Sequence, residues 1–127
     1  VRAMLTESLK GIICQTLIPD KHGHKLLMAP EILVCTLAVS NLIKDNKTYQ
    51  LPSVIEMGSS KGMISSEDSV MQLFMDDLIT ADQARPYMVS TSKLQRIDEI
   101  EQAGGLQAYQ QASAAQNDAS KKKGWFK

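Results

Sequence analysis

The chain has 127 residues, 43% hydrophobic and 22% charged, the size and composition of one small globular domain with enough apolar material for a core. Fourteen basic residues balance fourteen acidic ones, so no overall field draws the chain onto nucleic acid or an anionic membrane, and any such contact has to be local. The longest apolar runs, such as residues 32–35, are too short to span a bilayer and no secretion signal is recognisable, so a cytoplasmic location is expected.

Along the chain, Leu5, Leu9, Ile12 and Ile13 make one helical stripe directly after Val1, with no capping residue ahead of it. That is how a cut through a longer chain looks, and a carboxy-terminal fragment is expected. Two apolar runs, residues 16–18 and 26–34, flank the turn-forming "PDKHGH" and predict a β-hairpin. Pro30 lacks an amide hydrogen, so the second strand should lie at an edge or be bulged there. Thr36 is the candidate cap of a helix with Ala38, Val39, Leu42 and Ile43 on its inner stripe and Ser40, Lys44 and Asp45 outward.

Pro52 opens a further helical turn that "GSSKG", residues 58–62, breaks. Ser65 and Asp68 form a capping pattern ahead of a helix carrying Val70, Met71, Phe74, Met75, Leu78 and Ile79 at helical spacing. Thr80 with Gln83 repeats that pattern, and Pro86 limits the helix it starts. From Lys93 a charged helix with Leu94, Ile97 and Ile100 on one stripe runs to Gly104 and Gly105. The Gln-, Ala- and Ser-rich remainder, residues 106–127, is expected as a flexible polar tail.

Chemistry-bearing groups are sparse. His22 and His24 with Cys14 and Cys35 supply metal-capable atoms, but structural zinc sites bring ligands in close pairs on tight turns, so no metal site is expected. Both cysteines lie in apolar segments, where small hydrophobes outnumber bridge halves, and a single disulfide stays open. Asp76 and Asp77 are adjacent on a helix and point about 100° apart, a solvated face instead of an acid–base pair. Met71 and Met75 share the stripe of Phe74 and fit a core; Met57 and Met63, near the glycine breaks, fit either core or surface. "KKKGWFK", residues 121–127, has the composition of an anionic-surface or single-strand binder, against the default of a charged tail. No phosphate-cradling Gly-Lys-Ser or Gly-Lys-Thr loop is present: "SKG", residues 60–62, has the order inverted. No catalytic residue is assigned, and the chain alone should not hydrolyse a nucleotide.

The run "RAMLTESLKGIICQTLIP", then "APEIL", "LAVSNLIKDNKTYQLPSVIEMGSSKGM" and "LITADQA" resembles the carboxy-terminal third of the type IV pilus retraction ATPases, the twitching-motility members of the secretion ATPase superfamily. The likeness covers residues 2–88 in order. Its most specific part is residues 38–45, which correspond to the family's Ala-Ile-Arg-Asn-Leu-Ile-Arg-Glu helix: Ala38, Asn41, Leu42 and Ile43 match outright, and Val39, Lys44 and Asp45 are conservative replacements. Gln15, Gly23, Glu31, Lys47, Gln50, Gly62 and Met63 also fall where the pattern puts them. Ser40 stands at the motif's first arginine and Leu26 at an arginine after the turn, so each site lacks a fixed positive charge.

The resemblance implies an α+β, mainly α-helical fold: the helical carboxy-terminal part of a RecA-like P-loop ATPase domain with a small β-hairpin, its main sheet mostly missing. Residues 1–90 would be that portion, 91–105 an additional helix and 106–127 the tail. It implies a cytoplasmic hexamer, peripheral to the inner membrane, that disassembles the pilus through an inner-membrane platform protein, with ATP and magnesium bound in the parent protein and none in this chain. Partners would be the chain's own ATPase core, neighbouring subunits and the platform, with no nucleic acid and only peripheral membrane contact. The competing readings are a stand-alone helical interaction module without nucleotide chemistry and a binding module acting through the basic tail, which zero net charge disfavours. Loss of the main sheet should leave apolar surface on the first helix or the hairpin, and a dimer or larger assembly is expected.

Overall fold

The computed structural model describes residues 1–123, with side chains to residue 115. The architecture is α+β and mainly helical. A short helix α1 (Arg2–Ser8) leads into an antiparallel hairpin of β1 (Gly11–Pro19) and β2 (Leu26–Val34). Helices α2 (Leu37–Lys44), α3 (Leu51–Met57), α4 (Ser66–Met75), α5 (Ala81–Ala84), α6 (Thr91–Gln102) and α7 (Leu106–Lys123) follow.

The first helix is shorter than its stripe predicts. Leu9 is already extended, and Ile12 and Ile13 lie in β1. Helical spacing of four isoleucines and leucines says nothing about Gly11, which breaks the helix, or about β2, which offers a nine-residue partner that β-branched side chains suit. The register runs without a bulge from Gly11 opposite Val34 to Pro19 opposite Leu26. Pro30 is accommodated because its missing amide falls on the outer edge, the side on which the Ile32 N–H meets the Ile64 carbonyl at 2.8 Å. The Ser69 hydroxyl donates to the Pro30 carbonyl on that same edge.

Opposed residues of an antiparallel pair share a face. Ile18, Ala29 and Leu33 lie on one face and are buried; Ile13, Leu17, Leu26 and Met28 lie on the other and are exposed, Ile13 to 75%. The buried face feeds two clusters. Ile18 and Ala29 join Val70, Phe74, Ile79, Ala84, Ile97 and Ile100 under α4 to α6. Leu33 joins Val39, Ile43, Ile55 and Met63 under α2 and α3.

The caps read from sequence are present. Thr36 Oγ1 accepts the Val39 N–H, Ser65 Oγ accepts the Asp68 N–H at 3.1 Å, and Thr80 and Gln83 close a reciprocal capping box. Three helices end in the same way, with one residue in the left-handed region: Asn46 (φ 59°), Asp77 (φ 58°) and Gly104 (φ 86°). In each the next N–H reaches back five residues, Lys47 to Leu42, Leu78 to Leu73 and Gly105 to Ile100, which satisfies carbonyls the helix leaves open. Because α4 stops this way, Leu78 and Ile79 lie beyond it. Ile79 still enters the first cluster, from the turn.

The segment expected as a flexible tail is helical from Leu106 to Lys123. Ala and Gln are strong helix formers, and Leu106 and Tyr109 fasten its first turn to the first cluster. Residues 124–127, the end of the basic aromatic stretch, lie outside the described residues.

Candidate functional site: the exposed face of the second helix

Helix α2 is held from below. Val39 is fully buried and Ile43 is 7% exposed, while Leu42 is half-buried. Thr36 caps its start and the Asn46 turn closes its end, so both termini are fixed without help from a partner. Lys44 in the last turn opposes the negative end of the helix dipole, and Asp45 sits 3.9 Å from Lys47.

At 100° per residue, Asn41, Lys44 and Asp45 fall on one face, and all three are exposed. Two further residues share it. Ala38, expected inward, is exposed, and Leu37, one turn before Asn41, is 78% exposed. The sequence pattern passed over Leu37 because an apolar residue at a helix start reads as core. Its signal was its place four residues before Asn41. The face thus presents one apolar side chain, an amide, an ammonium and a carboxylate, a set suited to recognising another surface.

Ser40, expected outward, turns inward. Its hydroxyl donates to the Thr6 carbonyl at 3.5 Å and lies 3.5 Å from Cys35 Sγ, joining α2 to α1. An arginine at this position is too long for such a contact, so the serine changes how α1 and α2 meet as well as the charge.

The other family-matched positions are dispersed. Gln15 is exposed mid-strand on β1, Gly23 lies at the hairpin tip and Met63 is buried beside Ile55. Gly62 holds φ 81° after the turn Ser59–Lys61, a conformation an L side chain resists. Glu31 lines a cleft of about 300 Å³ with Pro52, Glu56, Glu67, Tyr87 and Lys93.

The clusters of charge lie between helices, at residues to which the sequence pattern gave no electrostatic role. Lys93 Nζ is 2.8 Å from Asp68, 3.5 Å from Glu67 and 3.9 Å from Glu56. Hydrogen bonding to Lys93 holds Asp68 below the usual carboxylate range. Burial raises the Glu67 pKa, yet bonds from the Ser90 hydroxyl and the Val89 and Ser90 amides, with Lys93 nearby, bring it down overall. Burial likewise works against the charge on Lys93, but its carboxylate partners raise the pKa overall. Arg85 pairs with Asp82, Asp98 and Glu101, and its hydrogen bonds to Asp98 and Glu101 raise its pKa further. At the hairpin tip burial raises the Asp20 pKa, and the His24 and Lys25 amides outweigh it and lower it. Every such group has a partner that accounts for its shift.

His22 and His24 stack on each other at 5.8 Å in the exposed turn, and among the described residues no three His, Cys, Asp or Glu side chains are placed to hold a metal ion. Cys35 is half-buried, whereas Cys14, expected as a small core hydrophobe, is exposed on β1; both are free thiols. Asp77 pairs with Lys21. Lys61 and Gly62 end a short turn with no strand before it and Met63 after them, which is not the order of a phosphate-cradling loop. No described helix is long and apolar enough to cross a membrane.

No protein-family model matches the chain. Curated relatives do. It is 41% identical over 85 residues to the type IV pilus retraction ATPase PilT of Pseudomonas aeruginosa, covering 67% of this chain and 24% of that protein. It is 39% identical over 85 residues to a twitching motility protein of Neisseria gonorrhoeae, covering 67% of this chain and 23% of that one. A crystal structure of the pilus retraction motor PilT with bound ADP superimposes with a TM-score of 0.58 at 30% identity, over 75% of this chain and 26% of the motor.

The chain is PilT-like. It corresponds to a carboxy-terminal portion of that ATPase and spans about a quarter of the length of the relatives it matches. The hairpin and helices therefore form a PilT-like fold.

Proposed function

We propose that this chain is the non-catalytic, coupling end of a pilus retraction motor, and that Asn41, Lys44 and Asp45, with Leu37 and Ala38 beside them, form the face that passes nucleotide-driven movement to a partner. ATP and magnesium are held, and hydrolysis is carried out, by residues outside these 127. The motor is a homo-oligomer, a hexamer, acting in the cytoplasm at the inner-membrane base of the pilus, and the partner of α2 is a neighbouring subunit, the ATPase core or the inner-membrane platform protein.

The observation that supports this reading is the division of α2 into two sides. Val39 and Ile43 fix it rigidly to the second cluster, while among the described residues the side chains of Asn41, Lys44 and Asp45 have no partner beyond the Asp45–Lys47 pair. A polar helix face held this firmly transmits displacement without deforming. The bare row of Ile13, Leu17, Leu26 and Met28 fits the same reading, as a sheet face that an ATPase core would cover.

The test is an ATPase assay with magnesium of the full-length gene product beside this chain. Activity in the full product and none in the chain agrees with the proposal. No activity in either would favour a stand-alone interaction module.

A further inference from the structure

The sheet has two strands, and the outer edge of β1 has no neighbour. Two bonds flank the ladder, the Cys35 N–H to the Lys10 carbonyl and the Asp20 N–H to the Lys25 carbonyl, both 2.9 Å, and they fix which residues face inward. By the alternation of an antiparallel pair, Ile12, Cys14, Thr16 and Ile18 turn their backbone groups to β2, and Gly11, Ile13, Gln15, Leu17 and Pro19 turn theirs outward. Among the described residues, the backbone N–H and C=O groups of Gly11, Ile13, Gln15 and Leu17 have no partner outside the strand, and all four residues are exposed. Pro19 differs: it has no N–H, and its carbonyl accepts the Gln83 side-chain amide at 3.1 Å. The open edge therefore runs from Gly11 to Leu17.

Sheet edges are commonly blunted by charge, proline or a bulge, and "GIICQTL", residues 11–17, has none of these. The opposite edge of the hairpin is closed. Ile64 bridges Ile32, the Ser69 hydroxyl donates to the Pro30 carbonyl, and Pro30 has no N–H to offer.

We infer that a second copy of this chain pairs with the open edge, β1 against β1 in antiparallel order, about a twofold axis at Cys14. The four open residues are symmetric about that position. Gly11 then faces Leu17 of the second copy and Ile13 faces its Gln15, each pair exchanging both backbone bonds. An axis at Gln15 would instead set Gly11 against Pro19, which lacks an N–H and whose carbonyl Gln83 already holds. Ile13 also comes diagonally beside Leu17 of the copy, within reach of large side chains. The product is a four-stranded sheet whose outer edges are both β2 strands, each already closed, so assembly stops at two copies and does not propagate into a fibre. The inference goes beyond the coupling role of α2 and does not rest on it, so its failure would leave that role untouched.

Cys14 reports the register. It is an exposed free thiol. On the axis it faces its own copy as a non-hydrogen-bonded pair, with Cα atoms about 4.5 Å apart, a separation that a disulfide spans. The chain is treated with diamide over a concentration series, the oxidant taking two electrons and two protons from a pair of thiols as the disulfide forms. The expected result is a covalent dimer that persists in Cys35→Ser and vanishes in Cys14→Ser, while Cys14→Ser still sediments as a dimer. Hydrogen exchange gives a second readout: the amides of Ile13, Gln15 and Leu17 should slow about tenfold or more with rising concentration, while those of Ile12, Cys14 and Thr16, already bonded to β2, change little. Gln15→Pro removes an outward amide and leaves the β2 ladder intact, so it should weaken the dimer about tenfold or more with an unchanged circular dichroism spectrum. Should that variant unfold, Ile13→Lys, which places a charge on the edge at an exposed side chain, carries the same test. A mass that rises with concentration while the outward amides stay unprotected would place the contact on the bare sheet face and overturn the inference. A monomer at every concentration, or cross-linking through Cys35, would overturn it as well.

Discussion

Lys93 Nζ lies 2.8 Å from Asp68 Oδ1, and this contact ties α6 to the start of α4. The same ammonium faces Glu67, whose carboxylate accepts the Val89 and Ser90 amides at 3.2 and 3.4 Å. One cation therefore steadies the carboxylate that fixes the entry to α6.

Lys93→Ala removes that cation and leaves Glu56, Glu67 and Asp68 facing one another. Because Asp68 is half exposed, screening limits the loss to about 1–2 kcal/mol. Urea unfolding with an unchanged slope measures it. A midpoint equal to that of the unsubstituted chain would show that the clamp contributes nothing.

Acid should loosen the hairpin tip and the α4–α6 junction. Asp20, Glu67 and Asp68 are all lowered from ordinary values of 3.8 to 4.5, so their stabilisation is fully present above those values and is lost as pH falls through the lower folded-state ones. Stability should hold from neutrality to about pH 5 and decline below about pH 4. Thermal melts across that range check it, and a flat profile down to pH 3 would contradict it.

Gly58 sits where a Cβ would come 2.4 Å from the Met63 sulfur and 2.9 Å from the Val54 carbonyl oxygen. Gly58→Ala should cost about 1–3 kcal/mol by overpacking. Met63→Ala in the same chain should recover part of that loss, less its own cavity cost, and calorimetry on the single and double variants measures the coupling.

The caps were legible because each is a local rule: Thr36, Ser65 and Thr80 announce helix starts through a hydroxyl and a spacing of three. The stripe of Ile97 and Ile100 was legible for the same reason. What sequence spacing misread depends on distant partners. Ile12 and Ile13 are strand because β2 is there to pair with them, Ser40 faces inward because α1 crosses it, and Asp77 ends α4 through a left-handed turn that aspartate tolerates without advertising. The α2 motif was visible through resemblance, but only the fold separates its buried Val39 and Ile43 from its open Asn41, Lys44 and Asp45.

The bare hairpin face predicts concentration-dependent association of the chain on its own. Ile13, Leu17, Leu26 and Met28 expose a row of large apolar side chains that water disfavours. Sedimentation should show a mass rising with concentration, and Ile13→Glu with Met28→Glu should hold the chain monomeric. A monomer at every concentration in the unsubstituted chain would contradict this.

The central claim is that the open face of α2 couples movement and does not hold the fold. Asn41→Ala, Lys44→Ala and Asp45→Ala together remove exposed groups only, so stability should change by less than about 1 kcal/mol. The decisive measurement is pilus retraction together with ATP hydrolysis by the full-length protein bearing these three changes. The account predicts hydrolysis retained and retraction abolished; retraction at the unsubstituted rate would contradict it.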